Sequence, residues 1–209
     1  DVLKSGGIIL YPTDTIWGVG CDACCDIAVK KVYEIKRRDH SKPLICLASS
    51  FEMVSEYVEI SNLKKLKSIS EKSPTTFIFD NPVKISKYVS NNNYSLGFRV
   101  PNDNFCLELI KKFGRPIVST SANISGIDIP SEFSLISSEI KNQVDYIVDY
   151  GKNKKSFTPS TILKFDEKGL ITKLRWELVK PSHTSPVAPA SRIAWMVTSK
   201  KVSLTTIDK

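Results

Sequence analysis

Apolar residues along this chain gather in short runs of four to six, cut by polar punctuation, and the runs alternate between strand-like and helix-like spacing. Ile8 to Tyr11 is an apolar run that reads as a strand. Asp1 to Ser5 before it reads as the tail of a helix ended by Gly6 and Gly7. Cys25, Ala28, Val32 and Ile35 then fall at helical spacing, with Asp22 or Asp26 available as the cap and the helix running to about Arg38. Pro43 opens a strand over Leu44 to Ala48. Ser50 and Ser61 each precede a helix, the first carrying Val54, Tyr57 and Val58, the second Leu63 and Leu66. Thr75 to Phe79 is rich in β formers and stops at Asp80, Asn81 and Pro82. Leu96 to Val100 is a further strand. Asp103 caps a helix with Cys106, Leu109, Ile110 and Phe113 along one stripe, and Gly114 ends it. Ile117 to Thr120, Tyr146 to Val148, Thr161 to Phe165 and Ile171 to Leu174 complete the strands. The pattern predicts an α/β (α+β) fold: a twisted sheet of mixed parallel and antiparallel strands with flanking helices.

Two of these strands end unusually. Tyr11 to Gly20 reads Y-P-T-D-T-I-W-G-V-G, and Ser119 to Gly126 reads S-T-S-A-N-I-S-G. Each leaves an apolar run and breaks into hydroxyls, amides and glycines, which delivers neutral donors to a sheet edge where phosphates and carboxylates are held. Between them, K-R-R-D-H-S-K-P-L from Lys36 to Leu44 puts Lys36, Arg38 and Lys42 at a helix-to-strand corner. Arg99 at one strand end can clamp a carboxylate or phosphate. Ser160, Thr161 and Arg175 repeat the pattern of hydroxyls and guanidinium at strand termini. Together these predict a concave basic pocket for an anionic nucleotide and a small polar substrate. Neither G-x-x-x-x-G-K-[ST] nor G-x-G-x-x-G occurs.

Composition narrows this further. The 209 residues suit one domain over 1–175, with a tail over 176–209 in which Lys180 to Ser191 resembles a linker. In that tail Ile193 to Thr198 and Val202 to Ile207 have the spacing to pair as a hairpin. The formal charge of +8 comes largely from scattered lysines, which fits solvated faces as well as attraction for ATP or RNA. No apolar run approaches the roughly 20 residues of a membrane span, and no secretory signal opens the chain, so a cytoplasmic protein without membrane contact is expected. The first residue is Asp1 rather than Met, which reads as a trimmed start. Cys21 and Cys24 have C-x-x-C spacing, but no second ligand pair answers them, so no metal site is expected and the five cysteines read as small buried hydrophobes. His40 and His183 have no nucleophile-elbow partner. Without a Ser–His–Asp set, catalysis would rest on positioning and charge neutralisation, as in phosphoryl and nucleotidyl chemistry.

The motifs in this order resemble the YrdC/TsaC family, the threonylcarbamoyl-adenylate synthases, from about Gly6 to Arg175. The landmarks are P-T-D-T-I-W-G-V-G, K-R-R-x-x-x-K-P-L, F-R-V-P at Phe98 to Pro101, S-T-S-A-N-I-S-G and P-S-T-I at Pro159 to Ile162. The resemblance implies synthesis of threonylcarbamoyl-AMP and pyrophosphate from L-threonine, bicarbonate and ATP, with a divalent ion such as Mg2+. The product would serve modification of adenosine 37 in tRNA, which the chain would meet directly or through downstream enzymes. By motif, Lys36, Arg38 and Lys42 would hold the triphosphate, with Lys36 and Arg38 as the catalytic charges. Ser121, Asn123, Ser160 and Arg175 would serve the nucleotide-phosphate side, and Thr13, Thr15 and Arg99 would place threonine. Trp17 stands where the family usually has Tyr, and Trp176-Glu177 replaces a common P-G. The rival readings are a basic, non-catalytic module for structured RNA and a carbamoyl-transfer domain that assists metal-centre maturation.

Overall fold

A computed structural model describes residues 1–90, 94–153, 160–165 and 171–174. The strands are β1 (Ile9–Tyr11), β2 (Gly18–Asp22), β3 (Ile45–Leu47), β4 (Thr75–Asp80), β5 (Ser95–Arg99), β6 (Ile117–Ser121), β7 (Tyr146–Ile147), β8 (Thr161–Phe165) and β9 (Ile171–Leu174). They form one sheet in the order β7-β1-β2-β6-β3-β5-β4-β8-β9. β1 and β7, β3 and β5, and β4 and β8 pair parallel, and the other neighbours pair antiparallel. The mixed α/β sheet expected from the pattern is the one observed. The tail, including the linker-like stretch and the hairpin, lies outside the described residues.

β2 is a strand where the sequence suggested only a glycine-bearing turn. Gly-Val-Gly-Cys-Asp has poor strand propensity, yet a side chain at Gly20 would put its Cβ 2.7 Å from the Tyr11 ring and from the Val118 carbonyl oxygen. The glycine is there so that β1 and β6 can close on β2.

The helices are α1 (Asp26–Ile35), α2 (Phe51–Ser55), α3 (Leu63–Lys72), α4 (Lys87–Ser90), α5 (Asn104–Phe113) and α6 (Ser138–Gln143). Asp103 caps α5 as expected and Ser50, which precedes α2, caps it, their side chains accepting from the Cys106 and Met53 amides. Ser61 precedes α3 as expected, with Asn62 between them as the N-cap. Two expectations are corrected. The N-cap of α1 is Cys25, because Asp22 ends β2 and its carboxylate takes the Cys24 amide and Arg115. Asp1 to Ser5 forms hydrogen-bonded turns rather than a helix end.

The helix α1 stops three residues short of Arg38. Lys36 is its C-cap, and Arg37 sits in the left-handed region at φ 48°. The Arg37 amide donates to the Glu34 carbonyl at 3.0 Å and the Arg38 amide to the Tyr33 carbonyl at 2.9 Å, the paired bonds of a Schellman turn. That turn reverses the chain, so Lys36 and Arg38 leave the helix in different directions.

The two faces of the sheet are unlike. Val19, Cys46, Phe77, Leu96, Phe98 and Val118 fill one face and pack with Val29, Val32, Phe51, Val54, Leu66 and Val89 of α1 to α4 into the main core. On the other face α5 covers one corner, where Ile9, Tyr11, Leu47 and Ile117 meet Cys106 and Ile110. Beyond that corner the strand register lays out the row Ile9–Gly20–Ser119–Ile45–Gly97–Ile78–Lys164. Residues opposite one another in register share a face. Ile45, Ile78 and Ile162 here are half-buried and belong to neither core. The row is tightly packed at Gly97, where a Cβ would come within 3.0 to 3.3 Å of Thr76, Ile45 and Ile78.

Candidate active site

The polar motifs gather at one end of the sheet. Gly18 pairs with Ser121, and the Ala122 amide donates to the Trp17 carbonyl at 3.0 Å, so the loops that follow β1 and β6 lie side by side. In the first loop Thr13 Oγ1 accepts the Thr15 and Ile16 amides and lies 3.0 Å from Thr15 Oγ1. That is an ST-turn, which fixes both hydroxyls in a buried position.

Arg99 reaches this loop from the end of β5. It is 3% exposed, pairs with the Asp14 carboxylate, and places Nη2 3.3 Å from Thr15 Oγ1. The second Asp14 oxygen accepts the Asn102 amide at 3.1 Å. The Arg99 charge is thus committed to Asp14, and its Nε is buried without a partner. Asp14 belongs to this network although the sequence assigned it no role. Its partner lies 85 positions away, beyond any local signal.

The cationic corner meets the second loop. Lys36 is 1% exposed, and Nζ donates to the carbonyls of Ser121 and Asn123 and, at 3.3 Å, to Asn123 Oδ1. Burial, and then the neighbouring Arg38, pull its pKa down to about 7. The Lys36 carbonyl in turn accepts the Ser125 amide at 2.9 Å. Ser121 Oγ donates to Asn123 Oδ1, and Asn123 Nδ2 donates to the Ile127 carbonyl. Lys36, Ser121 and Asn123 therefore form one contiguous cluster.

Arg38 is half-buried and donates through Nε to the Lys42 carbonyl at 3.1 Å and through Nη2 to the Pro43 carbonyl at 2.9 Å. Desolvation lowers its pKa. Among the four described arginines, Arg37, Arg99 and Arg115 each pair with a carboxylate. Among the described residues Arg38 has no such ion pair, and two of its five N–H groups are used. A desolvated guanidinium fixed by neutral carbonyls keeps its charge available to an anion. Lys42 is half-buried on the same turn.

Ser160 stands just before β8, its Oγ 2.8 Å from the buried Thr76 Oγ1. Thr76 was given no site role from sequence, since two threonines opening a β-rich run read as strand. Arg175 lies outside the described residues. Trp17 is buried, its ring tilted against Phe133 at 4.8 Å, and its Nε1 has no partner. It packs the wall between the two loops. Cys21, Cys46 and Cys106 are buried and Cys24 and Cys25 half-buried; burial pushes the Cys24 thiol up to about 11. Among the described residues no three His, Cys, Asp or Glu side chains gather into a set for a resident metal ion, and no helix is long and apolar enough to cross a membrane.

The sequence model of the Sua5/YciO/YrdC family, described as telomere recombination, matches residues 1–175. The chain belongs to the Sua5/YciO/YrdC family. A Methanocaldococcus jannaschii protein provisionally named threonylcarbamoyl-AMP synthase is 36% identical over 172 residues, which are 81% of this chain and 80% of that one. That name supports an enzyme of this family here. P. abyssi Sua5 complexed with L-threonine superposes with a TM-score of 0.74 at 24% identity over 83% of this chain. The chain spans about half of that Sua5, 51% of its length. E. coli YciO superposes at 0.68 and 23% identity, over 79% of this chain and 82% of its own. The two superpositions establish the shared fold.

Proposed function

We propose that this chain makes L-threonylcarbamoyl-AMP and pyrophosphate from L-threonine, bicarbonate and ATP, for threonylcarbamoyl modification of adenosine 37 in tRNA. The observation that carries this reading is the seating of Lys36 on the Ser121–Asn123 loop. It joins the cationic helix end and the hydroxyl-amide loop, 85 residues apart in sequence. The relative's name supports the same chemistry.

Arg38 and Lys42 face the triphosphate, with the Lys36 charge behind them and Ser121, Asn123 and Ser160 offering neutral groups to the nucleotide. Arg175, outside the described residues, is proposed for the nucleotide-phosphate side by its motif alone. Threonine presents a methyl, a hydroxyl and a carboxylate. The half-buried Ile45 and Ile78 suit the first, and the Thr13 and Thr15 hydroxyls, held by Arg99 and Asp14, suit the polar groups. The threonine amine adds to bicarbonate-derived CO2, releasing a proton and forming a carbamate. A carbamate oxygen then attacks the α-phosphorus, and the bond to the pyrophosphate oxygen breaks. Arg38 offsets charge on the departing pyrophosphate, an electrostatic contribution that grows toward the transition state. The side chains described here make no carboxylate set for a resident divalent ion. Mg2+ would enter on the ATP phosphates as part of the substrate, and no step is assigned to it.

The test is pyrophosphate release with ATP, threonine and bicarbonate supplied together and singly, with the adenylate product identified by mass. All three should be required. Lys36→Ala should abolish release while far-UV circular dichroism stays native. Release that ignores threonine would overturn the assignment.

A further inference from the structure

We propose that Lys36 is a positioning residue: its ammonium braces the 121–125 loop from beneath and does not itself touch the phosphates. This rests on the ATP-binding reading above and changes the role of its most prominent lysine. An ammonium has three N–H donors and no acceptor. In Lys36 each is matched by one oxygen of the loop: the Ser121 carbonyl, the Asn123 carbonyl and Asn123 Oδ1. No donor remains for a phosphate oxygen. At 1% exposure, no face of the side chain remains for one either.

The brace has a second limb, because the Lys36 carbonyl receives the Ser125 amide. One residue therefore ties the end of the first helix to both ends of the loop. It also decides how Asn123 is turned. With Oδ1 accepting from Lys36 and from Ser121 Oγ, the amide nitrogen is directed away, to the Ile127 carbonyl. A loop of five residues ending at a sheet edge has many conformations, and holding one of them costs conformational entropy. The ammonium supplies that order before any ligand arrives. Arg38, two positions on, uses two of its five donors on carbonyls and keeps the others. The two cations divide the work, one ordering the loop and the other meeting the anion.

The experiment has a ligand-free arm and a binding arm. Amide hydrogen exchange of Ala122 and Ser125 in the ligand-free protein should speed up at least about tenfold in Lys36→Met. It should be unchanged in Arg38→Met. A lysine that only contacts phosphate would leave both amides as in the wild type, and that result overturns the proposal. In the binding arm, ATP dissociation constants are measured for Lys36→Met, Asn123→Ala and the double variant. Since Lys36 acts through Asn123, the double variant should bind no more than about threefold worse than the weaker single one. Losses that multiply indicate two independent phosphate contacts and refute the brace. Lys36→Arg should behave like Lys36→Met, because a planar guanidinium cannot point three donors at three converging oxygens; full rescue by arginine counts against the proposal. If the wild type binds no ATP, the functional reading fails while the exchange arm still decides the brace.

Discussion

Asp14→Asn removes one charge from a pair in which both side chains are almost wholly out of water, Arg99 at 3% and Asp14 at 6%. The substitution is nearly isosteric, so the effect is electrostatic. Asp14 serves two donors with two oxygens, the guanidinium and the Asn102 amide. Asparagine keeps one oxygen and turns an NH2 group toward one of those donors. Arg99 cannot give up its proton to escape, and its Nε already lacks a partner. Breaking a buried pair from one side costs about 3–5 kcal/mol. For a domain of this size, each kcal/mol is worth roughly 2–4 °C of melting temperature. Urea unfolding followed by circular dichroism should therefore show a loss near the upper part of that range. The double variant Asp14→Leu/Arg99→Met, with no charge left behind, should lose less than Asp14→Asn alone. If Asp14→Asn costs under about 1 kcal/mol, the pair behaves as a surface ion pair and this account of the loop is wrong.

Three further outcomes follow from the geometry. Gly20→Ala should cost about 1–3 kcal/mol by overpacking, and more than Gly97→Ala. The new methyl at 20 meets a backbone carbonyl at 2.7 Å, whereas at 97 it meets only movable side-chain methyls at 3.0 Å and beyond; equal urea midpoints contradict this. Arg37→Gly should stabilise by about 0.5–1 kcal/mol, since relief of the left-handed backbone outweighs the exposed Arg37–Glu139 pair, worth about 0–1 kcal/mol. A lower midpoint for Arg37→Gly shows the opposite balance. For Lys36 the folded pKa of about 7 lies below that of the unfolded chain. Between those two values the unfolded state holds the extra proton, so stability rises with pH. The unfolding free energy of the wild type relative to Lys36→Met should thus increase from pH 7 to pH 10, and a flat difference would falsify the shift.

How much of this was legible beforehand varied with the reach of the cause. Local causes could be read directly: Asp103 and Gly114 bracket their helix as expected because a cap and a left-handed stop act within one turn. The K-R-R and S-T-S-A-N motifs were legible as chemistry, and their meeting at one place follows from the sheet order. Distant causes were hidden. Gly20 can sit in β2 because Tyr11 and Val118 leave no room for a side chain there, and no propensity scale carries that. Arg99 read as a free clamp because nothing near it in sequence shows that Asp14 will neutralise it. The stop of the first helix at Lys36 rests on an arginine in a backbone region that favours glycine. The common feature is a partner far along the chain or a conformation its residue type disfavours.

The two unlike faces of the sheet make different demands on alternate residues of each strand. Along Thr75–Asp80, Phe77 and Phe79 pack into the main core, while Thr76 and Ile78 lie on the opposite face, Thr76 buried against Ser160 and Ile78 half-buried. Alternate letters of one short word can then drift separately. Changes at Ile78 alter that face and leave the core in place, and changes at Phe77 or Phe79 loosen the core.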